Sequence, residues 1–321
     1  MTLLPTIDAS VYRAAQETAV FTPHSYGILK ISGGSRLDLL NRMSTQAVNR
    51  LQSGEGAATI LTSDIGRIID RLILYATSDT VYALTGENNA DFIARYLMRF
   101  VFFNDDFRLE DVSGKTAVFG VYGPQAAALL AGAGFPETDL PRHHWRRAQI
   151  GDLTAYLHRT DPVAGDGYFL LADAADGAAA AALLQNAGLT PANADDYEFL
   201  RIEAGLPRLR HELTLDYIPL EANLWADVSF NKGCYIGQEI IARMESRGKL
   251  ARRLTRLALD APAAPGAEIS AGGKNAGVLT SSATGPDGVI GLGYVKTAVL
   301  DNPPFHLAIG AVSATPLPDH T

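Results

Sequence analysis

The chain has 321 residues, 47% hydrophobic and 19% charged, with twelve Phe, twelve Tyr and two Trp, which suits about two domains and excludes a disordered chain. A formal net charge of −8, from 27 Lys and Arg against 35 Asp and Glu, excludes a wholly basic nucleic-acid binder but permits a local basic patch. The single cysteine, Cys234, excludes an intrachain disulfide and a one-chain cysteine cage for zinc or an iron–sulphur cluster.

In chain order, residues 1–10 lack the cationic start and apolar core of a secretory signal, and no charge-free apolar run reaches the length of a membrane helix, about 20 residues. A cytoplasmic protein without membrane contact is expected. Residues 26–31 read as a strand, and Ser32-Gly33-Gly34-Ser35 turns into a helix through Leu40 and Met43. Residues 57–62 and 67–76 are β-rich runs joined by Ser63-Asp64-Ile65-Gly66, with Gly66 available for positive φ. Phe92, Ile93, Tyr96, Leu97, Phe100 and Val101 fall on one helical face within 87–103. Strands follow at 107–112 and 116–121. Gly33, Leu39 and Leu40 recur as Gly123, Leu129 and Leu130, which suggests two related subdomains.

Further strands are expected within 148–158 and 167–172, and helices near 178–186 and 195–203. Beyond Leu254 the texture changes. A Pro- and Ala-rich linker at 260–266 precedes short β runs at 277–282, 289–295 and 305–314, the pattern of a small barrel or sandwich. The expected division is an α+β part over 1–250 and an all-β domain over 251–321.

The densest chemistry is Lys232-Gly-Cys-Tyr-Ile-Gly-Gln-Glu239. Gly233 and Gly237 permit backbone conformations or close approaches that a side chain forbids. Lys232 can favour the thiolate of Cys234, and a helix beginning just after it would add its positive end. A small buried thiol is the alternative.

Followed by Ile240-Ile-Ala-Arg243, this motif resembles the signature of the YgfZ-type folate-binding proteins. These are relatives of the glycine cleavage system T-protein (aminomethyltransferase) and include mitochondrial factors for iron–sulphur protein maturation. Gly233, Gly237, Gln238, Glu239 and Arg243 all belong to the signature. Residues 29–33, 166–169, 201–207 and 218–222 resemble further blocks shared with T-proteins, and 277–282 with 291–295 resemble the family's terminal β-barrel.

The resemblance implies a three-domain cloverleaf, in which two interleaved α+β domains and a small C-terminal barrel surround a central channel for tetrahydrofolate or a one-carbon derivative. Glu203 matches the glutamate that holds the pterin, whose adjacent N–H donors suit a carboxylate. Tyr168 and Tyr235 are candidate channel aromatics, each readable equally as core. Cys234 becomes a reactive thiol or transient ligand near the channel mouth. Iron–sulphur proteins or their assembly machinery become the partners, with no resident metal.

One departure bears on reaction type. Where T-proteins carry two acids, this chain has Gly66-Arg-Ile-Ile-Asp-Arg71. Asp70 is retained as a catalytic candidate, and Arg71 stands in the second place as a candidate cofactor contact. A cation there is expected to oppose a positively charged one-carbon unit. As strand neighbours, Asp70 and Arg71 are expected to point to opposite faces.

From Lys232 to Arg256 there are seven Lys or Arg and two Glu, and Arg142-His-His-Trp-Arg-Arg147 is a second basic cluster. Such clusters serve a solvated face, the anionic tail of folate, a partner, or RNA. The leading reading is a folate-binding accessory factor for assembly or repair of iron–sulphur enzymes. A one-carbon transferase and a tRNA-modification accessory role are the alternatives.

Overall fold

Apolar alternation in the first third of the chain builds an antiparallel sheet. In the computed structural model, which describes residues 4–302 and 306–318, five strands pair in the order Gly56–Thr62, Ile68–Ala76, Thr80–Glu87, Tyr26–Ser32 and Arg108–Asp111. Helices Arg36–Met43 and Ala90–Met98 bury Leu39, Leu40, Ile93 and Leu97 against Leu29, Ile31, Leu72 and Leu74. The second helix is shorter than the apolar spacing over 87–103 predicts. Phe100 and Val101 still pack on this core, but from the loop that follows.

A second sheet has six strands in the order Thr190–Pro191, Val20–His24, Thr116–Gly123, Asp166–Asp173, Leu153–Arg159 and Trp145–Ile150. Helices Ala126–Gly132 and Gly177–Asn186 cover it, burying Leu130 and Leu184 against Val121, Leu157 and Leu170. The two domains interleave along the chain, because Val20–His24 belongs to one sheet and Tyr26–Ser32 to the other. The internal echo is a repeated unit in space. Gly33 (φ 101°) and Gly123 (φ 137°) each end a strand before a helix. A Cβ at either would meet a carbonyl oxygen, that of Asp106 at 2.2 Å or of Thr18 at 2.5 Å, so only glycine fits.

The third domain is a closed barrel in the order Arg252–Leu259, Gly288–Lys296, Lys274–Gly285, Glu268–Ala271, Leu307–Ile309 and Val312–Pro316. Leu257, Ile269, Leu279 and Leu307 fill it. The single run expected at 305–314 is a hairpin turning at Gly310 (φ 62°); Phe305 lies outside the described residues. With the two α+β domains, the barrel completes the three-domain cloverleaf implied by the resemblance.

Two features tie the barrel to the rest. The amide of Ile7 donates to the carbonyl of Thr284 (3.1 Å), and Thr284 donates back to Pro5 (2.9 Å), so the N-terminal segment extends a barrel strand. Helix Ala194–Glu203 starts with a capping box between Asn193 and Asp196 and carries Arg201 into the interior. Arg201 Nε donates to Glu198 (2.9 Å), Nη1 to Glu212 (2.9 Å), and Nη2 to Glu198 and to Ser281 Oγ of the barrel (2.7 Å). Glu212 also accepts from Ser281 (2.6 Å) and Thr280 (2.7 Å). Arg201 is 1% exposed and Glu212 0%. Losing one member of such a network leaves a buried charge unpaired. Arg201→Met is therefore expected to lower the unfolding free energy by about 3 kcal/mol or more in urea titration, whereas a loss below about 1 kcal/mol would contradict this role.

Candidate functional site

Strands Ile68–Ala76 and Thr80–Glu87 stay paired from Ala76–Val81 to Ile73–Leu84, then diverge. The opening is a cleft of about 80 Å³, lined from one strand by Asp70 and Arg71 and from the other by Thr85, Gly86 and Glu87. Tyr26, Tyr197 and Arg201 form further walls, and Leu206, Pro207, Arg208, Leu209 and Leu213 close the far side.

Asp70 and Arg71 both reach this cleft, contrary to the opposite-face expectation. Past the last ladder pair the strands part, and the Asp70 side chain bridges them by accepting from the Gly86 amide. Its Oδ2 accepts from the Gly86 amide (3.0 Å) and Asn89 Nδ2 (2.7 Å), and its Oδ1 accepts from the Arg71 amide (2.8 Å). Asp70 is 1% exposed. Burial pushes its carboxyl up to about 6, while the hydrogen bonds from Asn89, Gly86 and Arg71 act in the opposite direction.

The guanidinium of Arg71 turns into two carboxylates. Nε donates to Asp227 (2.6 Å) and Nη1 to Asp161 (2.7 Å), which is also bridged by Arg142. Two cations and two anions cancel. The repulsion of a positive one-carbon unit expected from Arg71 therefore does not arise, because its charge is neutralised within its own network.

Glu203 is outside the cleft. It lies two residues beyond Arg201, about 200° around the helix. Its carboxylate accepts from the Tyr12 hydroxyl (2.9 Å) and Gln16 Nε2 (3.1 Å), both on helix Ala9–Glu17. Asp70 and Glu87 are the carboxylates that line the cleft, and Glu87 is bridged by Arg208, which also donates to Glu198 (2.9 Å). Tyr168 is also elsewhere: it sits in the core of the second domain, under the Arg159 guanidinium at 4.7 Å, and its hydroxyl donates to Thr138 (2.9 Å). Tyr235 is a core residue whose ring lies 5.1 Å from the Lys232 ammonium. The aromatic walls are Tyr26 and Tyr197, which sequence pattern does not single out.

Within the cysteine motif, most residues hold the backbone in place. Lys232 Nζ donates to the carbonyls of Asn41 (2.6 Å), Ser44 (2.7 Å) and Gln46 (2.9 Å), satisfying the end of helix Arg36–Met43 and the loop beyond it. Burial pulls this ammonium down to about 8. With all three donors committed to carbonyls, Lys232 is a clamp and not the partner of Cys234. The following helix begins at Gln238, four residues beyond the thiol. Gly237 (φ 82°) presses on the early hairpin, where a Cβ would lie 2.5 Å from Ser63 O and 2.8 Å from Gly66 Cα. Gly233 has open space around its missing Cβ and carries no positive φ, so glycine is not sterically required there. Glu239 and Arg243 form an exposed ion pair at 3.1 Å. Cys234 itself is exposed and does not line the cleft.

Several members of the basic runs are engaged within the chain. Arg252 pairs with Glu221 (3.4 Å), Arg256 donates to the Glu203 carbonyl (2.8 Å), and Arg146 pairs with Glu137 (2.8 Å). His143 is buried, and burial pulls its imidazole down to about 3.

Two outcomes follow from this geometry. Gly237→Ala is expected to destabilise the chain by about 2 kcal/mol or more, and Gly233→Ala by under about 0.5 kcal/mol; equal effects in thermal unfolding would contradict the close approach. A carboxyl raised in the folded state loses stability as pH rises from its unfolded to its folded pKa. Wild type should thus lose roughly 3 kcal/mol relative to Asp70→Asn between pH 4 and pH 7, measured by urea unfolding, whereas a pH-independent difference would contradict the burial of Asp70.

Comparison with known proteins matches the chain to the family described as "GCVT N-terminal domain" over residues 3–232, and to "CAF17, C-terminal beta-barrel domain" over residues 252–320. An aminomethyltransferase of Thermus thermophilus is 30% identical over 287 residues, covering 86% of this chain and 79% of the relative. One from Saccharopolyspora erythraea is 29% identical over 300 residues, covering 89% and 80%. A chloroplastic protein of Arabidopsis thaliana that carries a transferase name is 28% identical over 274 residues; the match covers 84% of this chain but 63% of that longer one. The crystal structure of glycine cleavage system aminomethyltransferase T from Bartonella henselae superposes with a TM-score of 0.84, covering 98% of this chain and 90% of that chain at 22% identity, so the fold is shared. The chain belongs to the GCVT N-terminal domain family, related to aminomethyltransferases and completed by a CAF17-type C-terminal barrel.

Proposed function

We propose that the cleft holds tetrahydrofolate or a one-carbon derivative, and that the chain is a cytoplasmic accessory factor in the assembly or repair of iron–sulphur enzymes. The observation that carries the reading is the composition of the cleft. It combines two aromatic rings, Tyr26 and Tyr197, with two carboxylates, Asp70 and Glu87, and the guanidiniums of Arg71, Arg201 and Arg208, each paired with carboxylates. A pterin offers a flat ring and an edge of N–H donors, while its glutamyl tail is anionic, so the residues present fit the group. Bound there, a reduced folate supplies ring nitrogens that carry a one-carbon unit. Asp70 or Glu87 would hold its N–H edge, and Arg208 would meet the tail.

The iron–sulphur part rests on the motif that holds Cys234 at the surface and on the CAF17-type barrel. One thiol completes no cluster, so Cys234 would act transiently, together with ligands on a partner protein. An aminomethyltransferase reading is favoured by one specific observation, the retention of Asp70 in a cleft where Arg71 is already neutralised. An RNA-directed role draws less support, since Arg252, Arg256 and Arg146 are engaged within the chain.

Titration with 5-formyltetrahydrofolate, followed by calorimetry, tests the cleft. Wild type and Glu203→Ala should bind saturably with similar affinity, and Glu87→Gln should bind at least about tenfold more weakly. Loss in Glu203→Ala with retention in Glu87→Gln would move the ligand out of the cleft. Two companion assays separate the readings. Lowered iron–sulphur enzyme activities under oxidative stress in cells carrying Cys234→Ser support the accessory role, and folate-dependent ammonia release from an aminomethylated lipoyl protein supports the transferase.

A further inference from the structure

A second cavity, of about 190 Å³, lies between the two α+β domains and shares no lining residue with the Asp70 cleft. Both sheets contribute aromatic rings. Tyr75 and Tyr82 are direct cross-strand neighbours in the five-stranded sheet. Trp145 and His158 are cross-strand neighbours in the six-stranded sheet, with Tyr156 two residues from His158 and so on the same face. The Trp145 and His158 rings stack with centroids 6.0 Å apart, and Trp145 and Tyr156 tilt together at 5.9 Å. Tyr156 is 37% exposed, and Tyr82 and Trp145 are partly so. The cavity is thus open to solvent through an aromatic mouth.

Two observations point to a ligand. The first is charge. The only ionised side chain in the lining is the exposed Asp173, and no Lys or Arg lines the cavity, the reverse of the cleft with Arg71, Arg201 and Arg208. Burial pushes the Tyr82 phenol up, assisted by Tyr156 and by the acids Asp79, Glu110 and Asp173. Three aromatic rings with a carboxylate attract a soft cation, and Lys30, the cross-strand partner of Tyr82, lies outside the lining beside the acid Glu110. The second is deeper in the cavity. The Tyr75 hydroxyl and both ring nitrogens of His158 are buried and have no hydrogen-bond partner among the described residues. Tyr75 is 1% exposed and His158 4%. Burial pulls His158 down to about 3, so its ring is neutral, with one N–H donor and one acceptor nitrogen. Tyr75 offers an O–H. Orphaned groups this buried are costly unless something satisfies them.

We propose that this cavity is a second ligand site, and that it takes a methylated ammonium cation bearing a hydroxyl. The methyl groups lie against Trp145, Tyr156 and Tyr82, and Asp173 faces the charge. The hydroxyl, which both donates and accepts, meets the acceptor nitrogen of His158 and the O–H of Tyr75. The folate cleft does not enter this assignment, and either site can fail without the other.

Choline is the probe. Trp225→Phe leaves Trp145 as the only tryptophan, because the chain has two, so quenching reports the cavity alone. Saturable quenching by choline is expected. Tetramethylammonium, which lacks the hydroxyl, and 3,3-dimethyl-1-butanol, which lacks the charge, should each bind about five- to tenfold more weakly. Asp173→Asn and Tyr156→Ala in the same background should weaken choline by about fivefold or more. Absence of saturable quenching below about 50 mM choline would overturn the site. Equal affinity for the neutral isostere would overturn the cation assignment, and equal affinity for tetramethylammonium would overturn the hydroxyl contact. These ligand comparisons need no folded variant beyond the exposed Trp225→Phe.

Discussion

A guanidinium taken out of water must have its charge cancelled and its N–H donors met, and two buried arginines impose that requirement on this fold. Arg71 draws Asp161 from the second domain and Asp227 from the loop before the cysteine motif onto the first sheet. Arg201 draws Glu212 and the barrel residue Ser281 onto the helix that carries it. Both line the cleft. The networks need not stabilise the chain more than apolar packing would, since desolvation offsets much of the attraction. What they restrict is arrangement: a domain shifted out of place would leave a buried charge alone.

That restriction shapes the chemistry. With Arg71 neutralised, the group of unusual protonation in the cleft is Asp70, held by three N–H donors where two strands separate. The cysteine motif obeys the same rule of satisfying donors and acceptors. Lys232 closes three carbonyls, Gly237 allows contact with the hairpin at Gly66, and Thr62 Oγ1 donates to the Ile236 carbonyl (2.6 Å). Cys234 is left exposed on the loop that these contacts hold. The two cavities differ in lining, one walled by arginine–carboxylate networks and one by aromatic rings with an acid at its edge.

Much of the architecture could be read from the sequence because it follows local rules. The hairpin at Gly66, the two strand–glycine–helix units and the change of texture after residue 250 all depend on turn chemistry and periodicity. Other features depend on which way a side chain points after the chain has folded. Glu203 matched a family block by position, yet helix geometry turns it toward Tyr12 and Gln16. Tyr168 is engaged by Arg159 and Thr138 in its own domain core. Glu87, Tyr26 and Tyr197 carry no motif, and they became visible only once three distant segments met. The first helix, Ala9–Glu17, did have a signal: Asp8 accepts from the amides of Ser10 (2.7 Å) and Val11 (3.3 Å) as an N-cap. The apolar face behind that cap is small, with Val11 and Ala15 as its buried residues.

The central claim is that the ligand-binding surface is the gap between diverging strands, walled by the two arginine networks, and not the outer side of the helix bearing Glu203. Hydrogen–deuterium exchange with and without saturating 5-formyltetrahydrofolate tests this segment by segment. Added protection is expected over 84–87 and 206–213, with 9–17 unchanged. Protection confined to 9–17 and the end of the Glu203 helix, with the strand gap unaffected, would contradict it.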